Sequence, residues 1–167
     1  MNTRMKERAM PLTISEADLS NPKDALAVLV LLQTYASDPM GGGEPISPDV
    51  LELLIPRLRT VDSRLVLLAR KAGQPAGLAI AFRVFSSFRA APVLNLHDLA
   101  VHPDFRGQGI GRELMKKIEL HASRTGCCRV TLEVRQDNTA AQKLYRSQGF
   151  APGEPLQEFW IKPLVTE

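Results

Sequence analysis

Apolar residues recur along this chain in alternating rhythms. Runs with a period near two or with no break predict strands, and runs repeating every third or fourth residue predict helices. Residues 11–14 (PLTI) predict a short strand. A helix over about 22–35 follows, because Ser20 or Asn21 can cap it and Pro22 fits its first turn. The stretch DPMGGGEP, residues 38–45, cannot continue that helix. Ser47 and Pro48 repeat the cap signal for a second helix, which Pro56 is expected to end or kink. Residues 64–70 and 75–87 predict a hairpin, and 93–101 a further strand. Ile110, Leu114, Ile118 and Ala122 then fall every fourth residue, which predicts a helix over about 109–125 with Gly126 as its stop. A strand over 129–134, a helix over 138–149 between Asn138 and Gly149, and a last strand over 159–163 complete the order. Such an alternation is that of a mixed α/β sheet with helices packed on it.

Two irregularities in this pattern carry chemistry. In VLNLHDLAV, residues 93–101, the large apolar residues occupy even positions at Leu94 and Leu96, then odd positions at Leu99 and Val101. The period slips around His97 and Asp98. A β-bulge explains the slip and would leave backbone N–H groups free for an extended polar ligand or an oxyanion; a fully buried strand, apolar on both faces, explains it equally simply. Immediately after comes HPDFRGQGIGR, residues 102–112, with glycines at 107, 109 and 111 between a strand and a helix start. Backbone N–H groups there would face the partly positive end of the helix, a ready anion site. The spacing fits neither a Walker A loop, which needs a Gly-Lys-Ser/Thr ending, nor a dinucleotide turn of the GxGxxG type.

Composition narrows the reading. The chain has 167 residues, 44% of them hydrophobic, enough for one domain with a real core. No run approaches the roughly 18 apolar residues of a membrane span, and the charged start MNTRMKERAM lacks the apolar core of a secretory signal. A cytoplasmic protein with no membrane partner is expected. The net charge is only +3 and the basic residues form no stripe, which argues against nucleic acid. Cys127 and Cys128 are adjacent, and His97, His102 and His121 show no metal-ligand spacing, so neither a disulfide nor a metal is expected.

The segments LAVHPDFRGQGIGRELM and VTLEVRQDNTAAQKLYRSQGF resemble the two central motifs of the GNAT acyl-CoA N-acetyltransferases. That family's signature is Gln or Arg, two residues, Gly, one residue, then Gly or Ala at a helix head, met here by Arg106, Gly109 and Gly111. The resemblance covers about residues 94–150. It implies a GNAT α/β fold: a mixed, mostly antiparallel central sheet of six to seven strands, with about four helices on both faces. Residues 1–167 would form a single N-acetyltransferase domain, 1–10 being an N-terminal extension with little order of its own. It implies acetyl-CoA as co-substrate, its pyrophosphate gripped by Arg106, Gly107, Gln108, Gly109, Ile110, Gly111 and Arg112. The pantetheine arm would pair with Leu99, Ala100 and Val101 as though it were another strand. Asn138 and Ala141 would touch the pantetheine, and Tyr145 would lie near the sulfur. Asn138 is equally explained as a helix cap. A homodimer is also implied.

Acetyl transfer to an amine needs a neutral amine near the thioester carbonyl, a donor for the developing oxyanion and a proton for the departing thiolate. A backbone N–H near Leu99 or Ala100 suits the oxyanion, and Tyr145 suits the thiolate. His97, with a typical pKa of about 6.5, is a candidate base, and Asp98 and Glu133 are rivals that would sit near the acceptor. Tyr35 and the DPMGGGEP loop fall where the family builds its acceptor pocket, or form a plain surface loop. FRVFSSFRAAPVLNLHDLAV and the C-terminal EFW further resemble the spermidine/spermine and thialysine acetyltransferase branch. Where that branch commonly carries a Glu-Asp pair, this chain carries His97-Asp98, which weakens a polyamine substrate and leaves a small primary amine intact. The competing class is a non-catalytic acyl-CoA-binding or sensing module.

Overall fold

The computed structural model describes residues 11–164; the N-terminal extension expected over 1–10 lies outside the described residues. Strand β1 is Leu12–Glu16, followed by helices α1 (Pro22–Ala36) and α2 (Pro48–Arg59). Strands β2 (Arg64–Lys71), β3 (Gln74–Ser86) and β4 (Ala91–Val101) come next, then a short 3₁₀ turn at Pro103–Phe105 and helix α3 (Ile110–Arg124). Strand β5 (Val130–Leu132) and helix α4 (Thr139–Ser147) close the described order. The strands lie side by side in chain order, antiparallel from β1 to β4 and parallel between β4 and β5.

Local chemistry explains the helix boundaries. Asn21, rather than Ser20, caps α1, its side chain accepting from Lys23 N at 2.9 Å. Helix α2 runs through Pro56 to Arg59 instead of stopping there. The carbonyl that Pro56 leaves without a donor is that of Glu52, which is exposed, so water can serve it.

Two apolar layers sandwich the sheet. On one face α3 buries Ile110, Leu114, Met115, Ile118 and Ala122 against Leu65, Leu67, Leu94 and Leu96, with Tyr145 and Phe150 of the α4 region beside them. On the other, α1 and α2 bury Val28, Leu31, Leu32 and Ile55 against Val66, Leu68, Leu78, Ile80 and Ala100. Each fully buried large aliphatic side chain contributes roughly 1.5–3 kcal/mol. The two layers hold β4, the strand that carries the site, from both sides.

The expected count of six to seven strands is corrected to five among the described residues. The strand expected over 129–134 contracts to Val130–Leu132, and 159–163 forms no strand: Leu156, Phe159, Trp160 and Ile161 are exposed. A strand exists only where a ladder partner accepts its backbone groups, and β5 pairs over three residues alone. Pro152, Pro155 and Pro163, which cannot donate to a ladder, punctuate the tail.

Candidate active site

The bulge in β4 is present. Its register against β3 pairs Ile80 with Asp98 and Ala81 with Leu96, so His97 is the extra residue. A bulge of this kind turns two neighbouring side chains to one face. The His97 ring packs edge-on against Phe82, 5.6 Å between centroids, and Asp98 lines a groove with Ile80 and Phe82. Both therefore project toward α1 and α2, and the alternative of a regular, fully buried strand is excluded.

Beyond the bulge β4 loses its neighbour on the β5 side. Leu94, Asn95 and Leu96 pair with Val130, Thr131 and Leu132, and there β5 ends while β4 continues to Val101. The splay opens a cleft of about 630 Å³ bounded by Leu99, Ala100 and Val101, the 106–112 loop, and Asn138, Ala141, Leu144 and Tyr145 of the α4 segment. An extended arm with amide groups can pair with that strand edge as a further strand would.

The glycine loop ends in a helix N-terminus. Gly109 is the N-cap of α3 at φ +81°, a left-handed conformation that an L side chain adopts only with strain. The first N–H groups of α3 are thereby directed into the cleft, where no carbonyl of the helix can satisfy them. Arg112 lines the same cleft, is exposed, and makes no ion pair among the described residues. Open amides plus a free guanidinium fit a pyrophosphate.

Two other loop residues are occupied differently from expectation. The Arg106 guanidinium donates to Val101 O at 3.3 Å and to Asp38 Oδ2 at 2.8 Å. Its side chain thus fastens the loop to the end of α1, leaving the backbone to meet an anion. Gln108 points away from the cleft, accepting from Lys71 Nζ and donating to Asp104 O.

On the α4 side Asn138 caps the helix and borders the cleft. Its Oδ1 caps α4 by accepting from Ala141 N at 3.1 Å, while the residue borders the cleft with its Nδ2 unengaged among the described residues. Tyr145 lines the cleft along with Leu99 and is half-buried beside Phe150. Burial, with a smaller effect from Tyr35, pushes its hydroxyl up to about 12. At neutral pH it is protonated and can donate a hydrogen bond.

The candidate bases separate cleanly. His97 is exposed, and Glu133 is exposed with its carboxylate held by Asn95 Nδ2 at 3.3 and 3.4 Å. Asp98 is half-buried with no hydrogen-bond partner among the described side chains, and burial pushes its carboxyl above the usual range while neighbouring His97 partly offsets this. Tyr35, which lines the cleft, is raised by burial and then by the nearby charges of Asp98 and Asp38. Of these groups only Tyr35 borders the cleft; Asp98 lines the neighbouring groove with Ile80 and Phe82, and neither His97 nor Glu133 borders the cleft.

Sequence reasoning missed Asp38. Its Oδ1 accepts from Met40 N at 2.8 Å, its carbonyl from Gly41, Gly42 and Gly43, and Arg135 Nη1 reaches Pro39 O at 3.2 Å. The Met40 amide, and then Arg106, hold its carboxyl below the usual range. Gly41 lies so close to the Tyr35 carbonyl that any Cβ there would overlap it. The 38–45 loop is thus moulded onto the cleft, not loose on the surface. In the sequence the proline-and-glycine stretch announced a turn, and the family resemblance offered an acceptor pocket or a plain surface loop as its destination; neither singled out Asp38.

A model of the "Acetyltransferase (GNAT) family" matches residues 29–150. The chain belongs to the GNAT acetyltransferase family. An N-alpha-acetyltransferase of Mycobacterium tuberculosis, RimI, is 49% identical over 55 residues, 33% of either chain. A Sodalis glossinidius acetyltransferase is 34% identical over 94 residues, 56% of this chain and 62% of that one. The chain thus matches between a third and about three fifths of these curated relatives. A ribosomal-protein-alanine N-acetyltransferase from Brucella melitensis shares the fold, with a TM-score of 0.71 at 20% identity over 91% of this chain and 99% of that one. These relatives are RimI-like or general acetyltransferases, so the GNAT assignment holds while the spermidine/spermine branch gains no support from them.

Proposed function

We propose that this chain is an N-acetyltransferase that moves the acetyl group of acetyl-CoA to a small primary amine by direct attack in a ternary complex. The observation that carries this reading is the single cleft where an unpaired strand edge, an open helix N-terminus with Arg112, and Tyr145 meet. Bound acetyl-CoA supplies the thioester: the amine nitrogen bonds to its carbonyl carbon and the carbon–sulfur bond breaks. Asp98 takes one proton from the arriving ammonium, which frees the nitrogen lone pair, and the exposed His97 beside it passes that proton to water. The backbone beyond the bulge, at Leu99 or Ala100, offers an N–H to the oxyanion. Tyr145 donates a hydrogen bond to the thiolate. Because a hydroxyl near 12 is a weaker acid than a thiol of about 8.5, it steadies the thiolate without giving up its proton. The thiolate is protonated instead by the second proton that the nitrogen sheds on becoming an amide.

The test is release of free thiol from acetyl-CoA with a panel of primary amines, with detection of the acetylated product. Turnover on at least one amine is the expected result. Tight CoA binding without turnover on any amine would identify a sensing module instead. A homodimer completes this reading on family resemblance alone.

A further inference from the structure

The two walls of the cleft are bridged by residues 38–40. On the β4 side Arg106 donates to Val101 O at 3.3 Å and to Asp38 Oδ2 at 2.8 Å. On the α4 side Arg135 donates through Nη1 to Pro39 O at 3.2 Å. Asp137 aims that guanidinium, accepting from its Nε at 2.9 Å and its Nη2 at 2.7 Å, which leaves Nη1 for the loop. The Arg135 carbonyl in turn accepts from Gln142 Nε2 of α4 at 3.0 Å. A continuous run of bonds therefore passes from the end of β4, across residues 38–40, to α4. Asp38 and Met40 border the cleft, whereas Arg135 lies outside it.

We infer that Arg135 is a positioning residue: with Arg106 it clasps residues 38–40 to both walls of the cleft, so that an acyl-CoA arm lying between the walls firms the loop on the acceptor side. The inference rests on the acetyltransferase reading, which puts that arm between Leu99–Val101 and the α4 segment. By itself the clasp is weak, because Arg135, Asp137 and Pro39 are exposed and water competes for their bonds. Its hold also depends on how far apart the walls stand, since a hydrogen bond tolerates a stretch of only about half an ångström. An arm paired with the β4 edge and touching α4 fixes that separation. The loop passes the effect on to Tyr35: Asp38 N donates to Tyr35 O at 3.0 Å, and Gly41 lies against the same residue with no room for a Cβ. An amine arriving after the donor thus meets a loop that is already ordered, and binds with less loss of conformational freedom.

The test is hydrogen–deuterium exchange of the 38–45 segment, read by mass spectrometry on the full chain with and without saturating CoA. Its reporters are the amides of Gly41, Gly42 and Gly43, all bonded to Asp38 O. CoA is expected to slow their exchange about tenfold, the order of one hydrogen bond. In Arg135→Met the slowing should shrink below about twofold, and Arg135→Lys should recover part of it. By reciprocity, CoA affinity in Arg135→Met, read by calorimetry, should fall by no more than about the same tenfold. A residue that only stiffens the fold would, when replaced, speed exchange equally with and without CoA and leave the CoA-dependent difference intact. That result, or exchange at 38–45 indifferent to CoA although CoA binds, would overturn the inference and leave the donor site standing. CoA-dependent slowing that needs Arg135, in a chain that turns over no amine, would sustain the clasp and defeat the transfer reading. No binding of CoA to the unmodified chain would overturn both.

Discussion

At the scale of single residues the proposed mechanism divides between a hydrogen-bond donor that must not ionise and a proton acceptor that must. Tyr145, raised to about 12, is a hydrogen-bond donor throughout the working range. Replacing it by Phe removes a bond made to a developing charge, worth about 1.5–3 kcal/mol, so kcat should fall about 10- to 100-fold while CoA affinity is nearly unchanged. Steady-state kinetics beside a CoA titration checks this; unchanged turnover would remove Tyr145 from the mechanism. Asp98 must be a carboxylate to take a proton, and burial raises its pKa, so activity should be lost as pH falls through a value above the ordinary 3.8. Asp98→Asn should abolish that acidic limb along with most turnover. The same shift has a sign for stability. The folded chain holds this proton more tightly than the unfolded one, so folding loses stability as pH rises from 3.8 through the folded value, and Asp98→Asn should raise Tm at neutral pH. A gain in Tm with a loss of activity marks a group kept for function.

At the scale of elements the β4–loop–α3 unit forms the proposed donor site. There a strand that runs past its neighbour meets a helix whose N-terminus is left open by Gly109. Gly109→Asp sets a carboxylate where an anion should bind and strains a residue at φ +81°, with open space around the new Cβ. CoA binding should be lost while the chain still folds, as read by calorimetry and circular dichroism; retained affinity would refute the placement of the pyrophosphate. Leu114, fully buried beneath the loop, tests the element's anchorage differently: Leu114→Ala should cost about 2–5 kcal/mol in urea unfolding. These features were legible in order. The bulge showed as a slip of apolar parity and the helix as a four-residue repeat, because both are short-range consequences of side-chain period. The strand over 159–163 misled for the same reason, since period reveals a strand's face but not whether a partner exists.

At the scale of the whole molecule, residues far apart in the chain close the cleft. Asp38 and Arg106 pair across 68 positions, and Arg135 reaches Pro39 across 96. An exposed ion pair is worth only about 0–1 kcal/mol, so Asp38→Ala should leave Tm almost unchanged. It should instead release the 38–45 loop locally, making it a preferred site of limited proteolysis and raising KM for the amine. Protection equal to that of the unmodified chain would show that Gly41 against Tyr35 suffices. The sequence by itself determined the α/β alternation, the glycine turn and the family resemblance, because each is read from local runs of side-chain period and residue type along the chain. Only the tertiary structure decided that Arg106 serves Asp38, that Gln108 turns away, and that Asp98 is the half-buried one of the three candidate bases while His97 and Glu133 are exposed. Those are meetings between segments, and the distance along a chain carries no record of which segments will be packed together.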